Sequence, residues 1–172
     1  MKKFYLIALV CCMAFTSYAQ TPTSNCKCCS AEHQQFSFWE GNWETFNPDG
    51  ELIGTNNIKW LQDSCILQEN WISTSGRYTG TSYNFYNAIT QEWNQTWVDN
   101  KGGSLVLKGK WNGVSMVLKS GVSTDRKGMP YINRITWTPN EDGSVQQLWA
   151  ISKDEEATWR TVFEGLYRLK AE

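Results

Sequence analysis

Asn47-Pro48-Asp49-Gly50, Ser75-Gly76, Asn100-Lys101-Gly102-Gly103, Asn112-Gly113, Asp125-Arg126-Lys127-Gly128 and Asn140-Glu141-Asp142-Gly143 break the chain at short intervals. Each cluster supplies residues that tolerate positive φ, which a tight hairpin turn requires. Between them lie runs rich in Trp, Tyr, Val, Ile and Thr, punctuated every 8 to 12 residues or so, the pattern of an antiparallel barrel or sandwich. No helical period longer than about two turns competes with it. The turns divide the chain into about ten strands, each joined to the next by a hairpin.

Alternation along the runs favours a barrel over a sandwich. Trp93, Gln95, Trp97 and Asp99 share one strand face while Asn94, Thr96 and Val98 share the other; Leu67, Glu69 and Trp71 likewise oppose Ile66, Gln68, Asn70 and Ile72. Neither face is wholly apolar, as expected of a barrel with polar side chains inside. Eight strands leave an interior nearly filled by its own side chains, and about ten leave more room. The expected fold class is therefore all-β: one antiparallel up-and-down β-barrel of about ten strands over residues 36–170.

The amino terminus reads as a secretory signal peptide over residues 1–19. Lys2 and Lys3 precede an apolar run from Phe4 to Phe15, and Ser17-Tyr18-Ala19 supplies the small-residue step for cleavage near Ala19. The run is about a dozen residues, short of the roughly 20 that span a bilayer. In Leu9-Val10-Cys11-Cys12 no small residue directly precedes the cysteine, which argues against lipid anchoring. The expected location is extracytoplasmic, periplasmic or secreted. Cleavage leaves about 153 of the 172 residues, enough for one core. The remaining basic residues are scattered and the net charge is mildly acidic, so nucleic acid is not an expected partner.

Residues 20–35 form a Cys-rich arm. With Cys11 and Cys12 removed, Cys26, Cys28, Cys29 and Cys65 remain, an even number in an oxidising compartment. Adjacent Cys28 and Cys29 bond each other only with strain, so Cys65 is expected to pair with one of the three arm cysteines. The competing reading is a metal or redox site, because Cys26, Cys28, Cys29 and His33 place four N/S donors close together.

Phe36, Phe38 and Trp39 followed by Gly41-Asn42-Trp43 resemble the Gly-x-Trp signature of lipocalin-like (calycin) barrels. In that family the Trp closes one end of the barrel and an Arg from the last strand lies across it. The resemblance implies this barrel-closing role for Trp39, Gly41, Trp43 and Arg168, with Arg168 in cation–π contact. Phe36 to Trp43, "SCILQENW" from Ser64, "RITW" from Arg134 and "SKDEEATW" from Ser152 together resemble the DUF1579 group of uncharacterised bacterial proteins. That likeness runs from about Phe36 to Lys170 and implies a fold without an established reaction. Ser37, Ser64 and Glu156 depart from the pattern, which carries Asp, Gly and Gly there. "SKDEEATW" also resembles the Asp-box of sialidases, a hairpin stabiliser, which implies structural roles for Asp154 and Trp159.

Most catalytic signatures are missing from the sequence. His33, the one histidine, precedes the first strand and has no Gly-x-Ser-x-Gly elbow to serve. Haem would need an axial ligand that the strand region does not offer. Gly102-Gly103 is followed by a strand and not by a phosphate-binding helix. No cofactor is expected.

One polar group stands out. Glu69 shares a face with Leu67 and Trp71, Arg134 lies in the Ile132 to Trp137 strand, and Gln147 shares a face with Val145 and Trp149. If these faces turn inward, Glu69 and Arg134 are buried charges that must be paired. The candidate ligand-binding residues are Glu69, Trp97, Arg134, Gln147 and Trp149, and the expected partner is a small apolar or amphipathic molecule in the barrel. The alternative is a hydrolase or isomerase using Glu69 as acid/base with Arg134 as electrostatic stabiliser.

Overall fold

The computed structural model describes residues 26–171, so the signal peptide over residues 1–19, its cleavage site and the first part of the arm lie outside the described residues. A 3₁₀ turn over Ser37–Trp39 leads into eleven strands: β1 (Gly41–Phe46), β2 (Leu52–Leu61), β3 (Ile66–Ser73), β4 (Thr79–Asn87), β5 (Glu92–Asp99), β6 (Ser104–Trp111), β7 (Met116–Lys119), β8 (Ser123–Thr124), β9 (Pro130–Pro139), β10 (Val145–Ser152) and β11 (Arg160–Leu169). Ten of them form a closed antiparallel barrel in which chain neighbours are also sheet neighbours, and β1 pairs with β11 to shut the ring.

The short β8 continues the line of β7 along β9. Lys119 stands opposite Arg134, and beyond the interruption Ser123 stands opposite Tyr131. At the break the Asn133 amide N–H donates to Ser120 Oγ at 2.9 Å. The hydroxyl replaces a ladder acceptor, so the strand bulges without leaving that donor unpaired.

All six turn clusters fall between strands, and their glycines at 50, 76, 102, 113, 128 and 143 take φ between 66° and 97°. Three further turns manage without glycine at the left-handed positions. Gln62, Asp63 and Ser64 take φ of 51°, 52° and 65°, Gln91 takes 54°, and Glu155 and Glu156 take 54° and 71°. Ser64 and Glu156 are the two positions where the resembled pattern carries Gly.

The barrel is solid at one end. Phe36 and Trp39 are fully buried and stack on each other with ring centroids 5.1 Å apart. Phe36 meets Trp93 edge-on at 5.6 Å and Trp137 at 5.2 Å, while Trp39 lies 5.3 Å from Trp137. These separations are those at which aromatic pairs attract. Trp43 Nε1 donates to the Trp39 carbonyl at 2.9 Å, locking the 3₁₀ turn to the first strand. Gly41 has φ 145°, a backbone conformation that residues other than glycine rarely adopt, and a Cβ there would also press on Leu169 Cδ2 at 2.8 Å.

Two disulfides anchor the arm beneath this plug. Cys28 bonds Cys65 in the β2–β3 turn, and Cys26 bonds Cys29 within the arm. Cys65 thus pairs with one of the arm cysteines as expected. Among the described residues all four cysteine sulfurs are oxidised, which leaves no thiolate there to ligate a metal, and His33 Nδ1 is 2.9 Å from Ser30 Oγ. In this state the arm is a disulfide tie, and its four cysteines are not available as metal ligands.

Candidate functional site

Strand alternation turns one face of every strand into the barrel, and the inward residues form two zones. Near the plug they are the large apolar and aromatic groups just described. Above them lies a girdle of polar side chains: Asn56, Glu69, Ser82, Asn84, Gln95 and Asn133 are all at most 5% exposed. Beyond the girdle opens a cavity of about 420 Å³. Its walls carry Trp71, Trp97, Leu105, Ile135, Trp149 and Phe163, and its floor and rim carry Glu69, Tyr78, Gln95, Asp99, Gln147 and Tyr167.

Close backbone approaches make these walls possible. A Cβ on Gly80 would lie 2.0 Å from the Trp97 ring, and one on Gly54 would lie 2.5 Å from the Trp71 ring. Each glycine lets a neighbouring indole lie flat across its strand. Trp71 stands opposite Gly80 and Trp97 opposite Ser82 in the β4 ladders, which sets both rings along one side of the cavity.

Glu69 occupies the centre of the polar girdle. Asn56 Nδ2 donates to its Oε1 at 2.7 Å and Ser82 Oγ donates to its Oε2 at 2.6 Å. Asn84 Nδ2 donates in turn to Ser82 Oγ at 2.9 Å, and Gln95 Nε2 donates to Asn84 Oδ1 at 2.8 Å. Burial removes the carboxylate from water and pushes its pKa up to about 7, against the smaller opposing pull of the Ser82 and Asn56 bonds. Among the described residues no cation offsets that cost, since the ion pairs Lys119–Glu156 and Lys153–Asp125 both lie on the surface.

Other polar groups hold the aromatic walls. Trp149 Nε1 donates to Asn133 Oδ1 at 2.9 Å, and the Tyr167 hydroxyl donates to Gln147 Oε1. Burial and the nearby Glu69 raise the Tyr167 pKa well above its ordinary value, so this hydroxyl keeps its proton. At the rim Asp99 accepts the amides of Lys101 and Gly103 at 2.8 and 2.9 Å, and the Gly103 amide does most to hold its carboxyl below the usual range. The Tyr78 hydroxyl donates to Asp99 Oδ2 at 3.2 Å.

Of the five candidate ligand-binding residues, Glu69, Trp97, Gln147 and Trp149 line this one cavity. Arg134 does not join them. Asn133 and Ile135 face inward on β9, so the residue between them must face outward, where its guanidinium stacks 3.9 Å over the Trp159 ring. The internal Glu69–Arg134 pair is therefore corrected to a buried carboxyl without a cationic partner. Arg168 is corrected for the same reason of parity. It is exposed beside inward-facing Tyr167, its guanidinium lies 5.3 Å over the Phe46 ring, and Trp43 meets Tyr167 edge-on at 6.4 Å instead.

Asp154 stays outside the cavity. Its carboxylate accepts the Thr158 amide at 2.9 Å and the Thr158 and Ser152 hydroxyls, with the Thr158 hydroxyl doing most to hold its pKa down to about 2. It fixes the β10–β11 hairpin, and Trp159 beyond it carries Arg134.

Asn56, Ser82, Asn84, Asn133 and Tyr167 were not among the sequence candidates. Parity alone reaches several of them. Asn133 and Ile135 share the face of Trp137, and Ser82 and Asn84 share the face of Tyr86. Gln95 sits between Trp93 and Trp97 on the face already assigned.

Comparison with protein-family models finds no match for the chain, and comparison with curated protein sequences finds none. The fold and cavity define a lipocalin-like all-β barrel with one plugged end and one open end. Among the described residues no helix is long and apolar enough to cross a membrane, and this, with the two disulfides, is compatible with an extracytoplasmic location.

Proposed function

We propose that the protein is an exported lipocalin-like carrier or receptor that binds a small apolar or amphipathic molecule in the barrel interior. One observation carries the proposal: the 420 Å³ cavity is walled by indole and phenyl rings and floored by a few fixed polar groups. That combination is the usual make-up of a small-molecule site, and the volume lies within the ordinary range of such sites. The resemblance to the DUF1579 group supports the same barrel without naming a ligand. Its two glycine positions coincide here with left-handed backbone at Ser64 and Glu156.

A native mass spectrum of the mature protein, purified from its own host without denaturation, tests the proposal. The expected result is a small-molecule adduct that disappears in the denatured spectrum. Equal masses under both conditions would count against an occupied carrier.

A second reading, acid/base catalysis at Glu69, is favoured by the placement of its pKa near neutrality, where general acids and bases work best. The electrostatic stabiliser it called for is missing, because Arg134 points away from the cavity. Binding without chemistry therefore remains the leading function.

A further inference from the structure

The cavity's charge is one-sided. Among its lining residues there is no Lys, Arg or His, while Glu69 lies at the floor and Asp99 at the rim. Glu69 is 5% exposed and spends one acceptor direction of each oxygen on Asn56 and Ser82. A carboxylate has about four acceptor sites, so capacity is left on the cavity side. Among the described residues Asn56 Oδ1, beside Glu69 in the girdle, also lacks a hydrogen-bond partner, so a second acceptor there is unmet.

The walls fit the same chemistry. Trp71, Trp97, Trp149 and Phe163 line the same cavity as the carboxyl, and Trp is the aromatic whose face best attracts a cation. A ligand anion would meet two carboxylates with no compensating charge. A purely apolar ligand would cover Glu69 and leave its remaining acceptor capacity dry, which is costly for a buried polar group.

We infer that the barrel's ligand is an organic amine, a cation with an aromatic or aliphatic body, whose ammonium hydrogen-bonds Glu69 while its body lies among Trp71, Trp97 and Trp149. The inference rests on the proposal that this cavity is the binding site. Capture of the cation supplies the charge partner that the fold withholds from Glu69, and the carboxyl proton leaves to solvent as the ammonium arrives. The titratable groups that line the cavity with Glu69 are Tyr167 from β11, Tyr78 just before β4, Asp99 from β5 and Tyr131 from β9. Tyr78 and Tyr167, both raised by burial, retain their protons near neutrality, and Asp99, held down chiefly by the Gly103 amide, stays ionised at the rim. Glu69 is then the group whose titration governs binding between about pH 5 and 8.

Three probes of matched shape test the inference: 3-phenylpropylamine, 3-phenylpropanol and 3-phenylpropionate, each titrated against the tryptophan fluorescence of the mature protein. At pH 8 the amine is expected to bind about tenfold or more tightly than the alcohol, the size of one charge-assisted hydrogen bond, and the propionate weakest. The amine's advantage should shrink at least threefold between pH 8 and pH 5.5 as Glu69 takes up its proton. In Glu69→Gln, amine and alcohol should bind within about threefold of each other. The wild-type pH series gives the same information without a variant. Equal affinities, or a preference for the propionate, would overturn the cationic ligand and leave the cavity proposal standing. Binding of none of the three up to millimolar concentration would overturn both.

Discussion

Glu69→Gln is expected to raise the melting temperature at pH 8 and to leave it nearly unchanged near pH 4.5. The carboxyl's pKa rises from 4.5 to about 7 on folding, chiefly through burial. Between those values the folded state binds more protons than the unfolded state, so stability falls as pH rises. The favourable contribution of the protonated form is complete below about pH 4.5 and is lost on passing through pH 7. The difference is about 3 kcal/mol once Glu69 is fully ionised in the folded protein. Gln retains an acceptor for Asn56 Nδ2 and removes the ionisation. For a chain of this length the gain at pH 8 corresponds to roughly 5–10 °C. Thermal unfolding followed by circular dichroism at both pH values reads it. A variant destabilised equally at both would mean that the Asn56 and Ser82 bonds outweigh burial and that Glu69 is an ordinary structural carboxylate.

A carboxyl that weakens the fold when ionised is unusual in a purely structural role, since well-packed apolar residues do as well or better in its place. Stability given up at a site commonly accompanies function, and the inferred amine would restore the balance on binding. The stability experiment and the probe titration therefore address the same group from opposite sides.

Trp39→Ala is the second large effect. The side chain is fully buried, stacks on Phe36 and lies against Trp137 and Tyr167 at 5.3 and 6.1 Å. Truncation leaves a void the size of an indole among rings that cannot all collapse into it, and the expected loss is about 3–5 kcal/mol. Because the Trp43 indole bonds the Trp39 backbone carbonyl, that link survives the substitution and the loss is assignable to packing. Urea unfolding should show a lower midpoint with little change in slope. A loss below about 1 kcal/mol would mean that the 3₁₀ plug sits outside the cooperative core.

Much of this was legible before the structure. The turns were readable where glycine or asparagine advertised them, and the inward faces of β3, β5 and β10 followed from period-two alternation through Leu67, Gln95 and Trp149. The turns at Gln62 to Ser64 and at Gln91 were hidden, because non-glycine residues hold left-handed backbone there. The pairing of Glu69 with Arg134 failed on parity, because Asn133 and Ile135 take the inward face of β9. Arg134 and Trp137 are three apart and cannot share a face, so only one of them can point inward, and the strand pattern alone does not say which. The cavity itself was not legible. Its existence depends on Gly54 and Gly80 letting two indoles lie flat, and on how far the aromatic plug rises, neither of which a period can report.

The most direct test of the central claim, that this cavity is the binding site, compares wild type with Leu105→Trp. Leu105 lines the cavity and stands opposite Trp97 in the β5–β6 ladder, so a second indole there fills the space while the fold keeps an apolar residue at the position. Each protein is titrated with N-phenyl-1-naphthylamine, a neutral apolar probe that brightens on leaving water, and its melting temperature is measured alongside. The expected result is saturable single-site binding by wild type and at least about a tenfold loss of affinity in the variant, with melting temperatures within a few degrees. Equal binding by both folded proteins would place the probe elsewhere and contradict the claim.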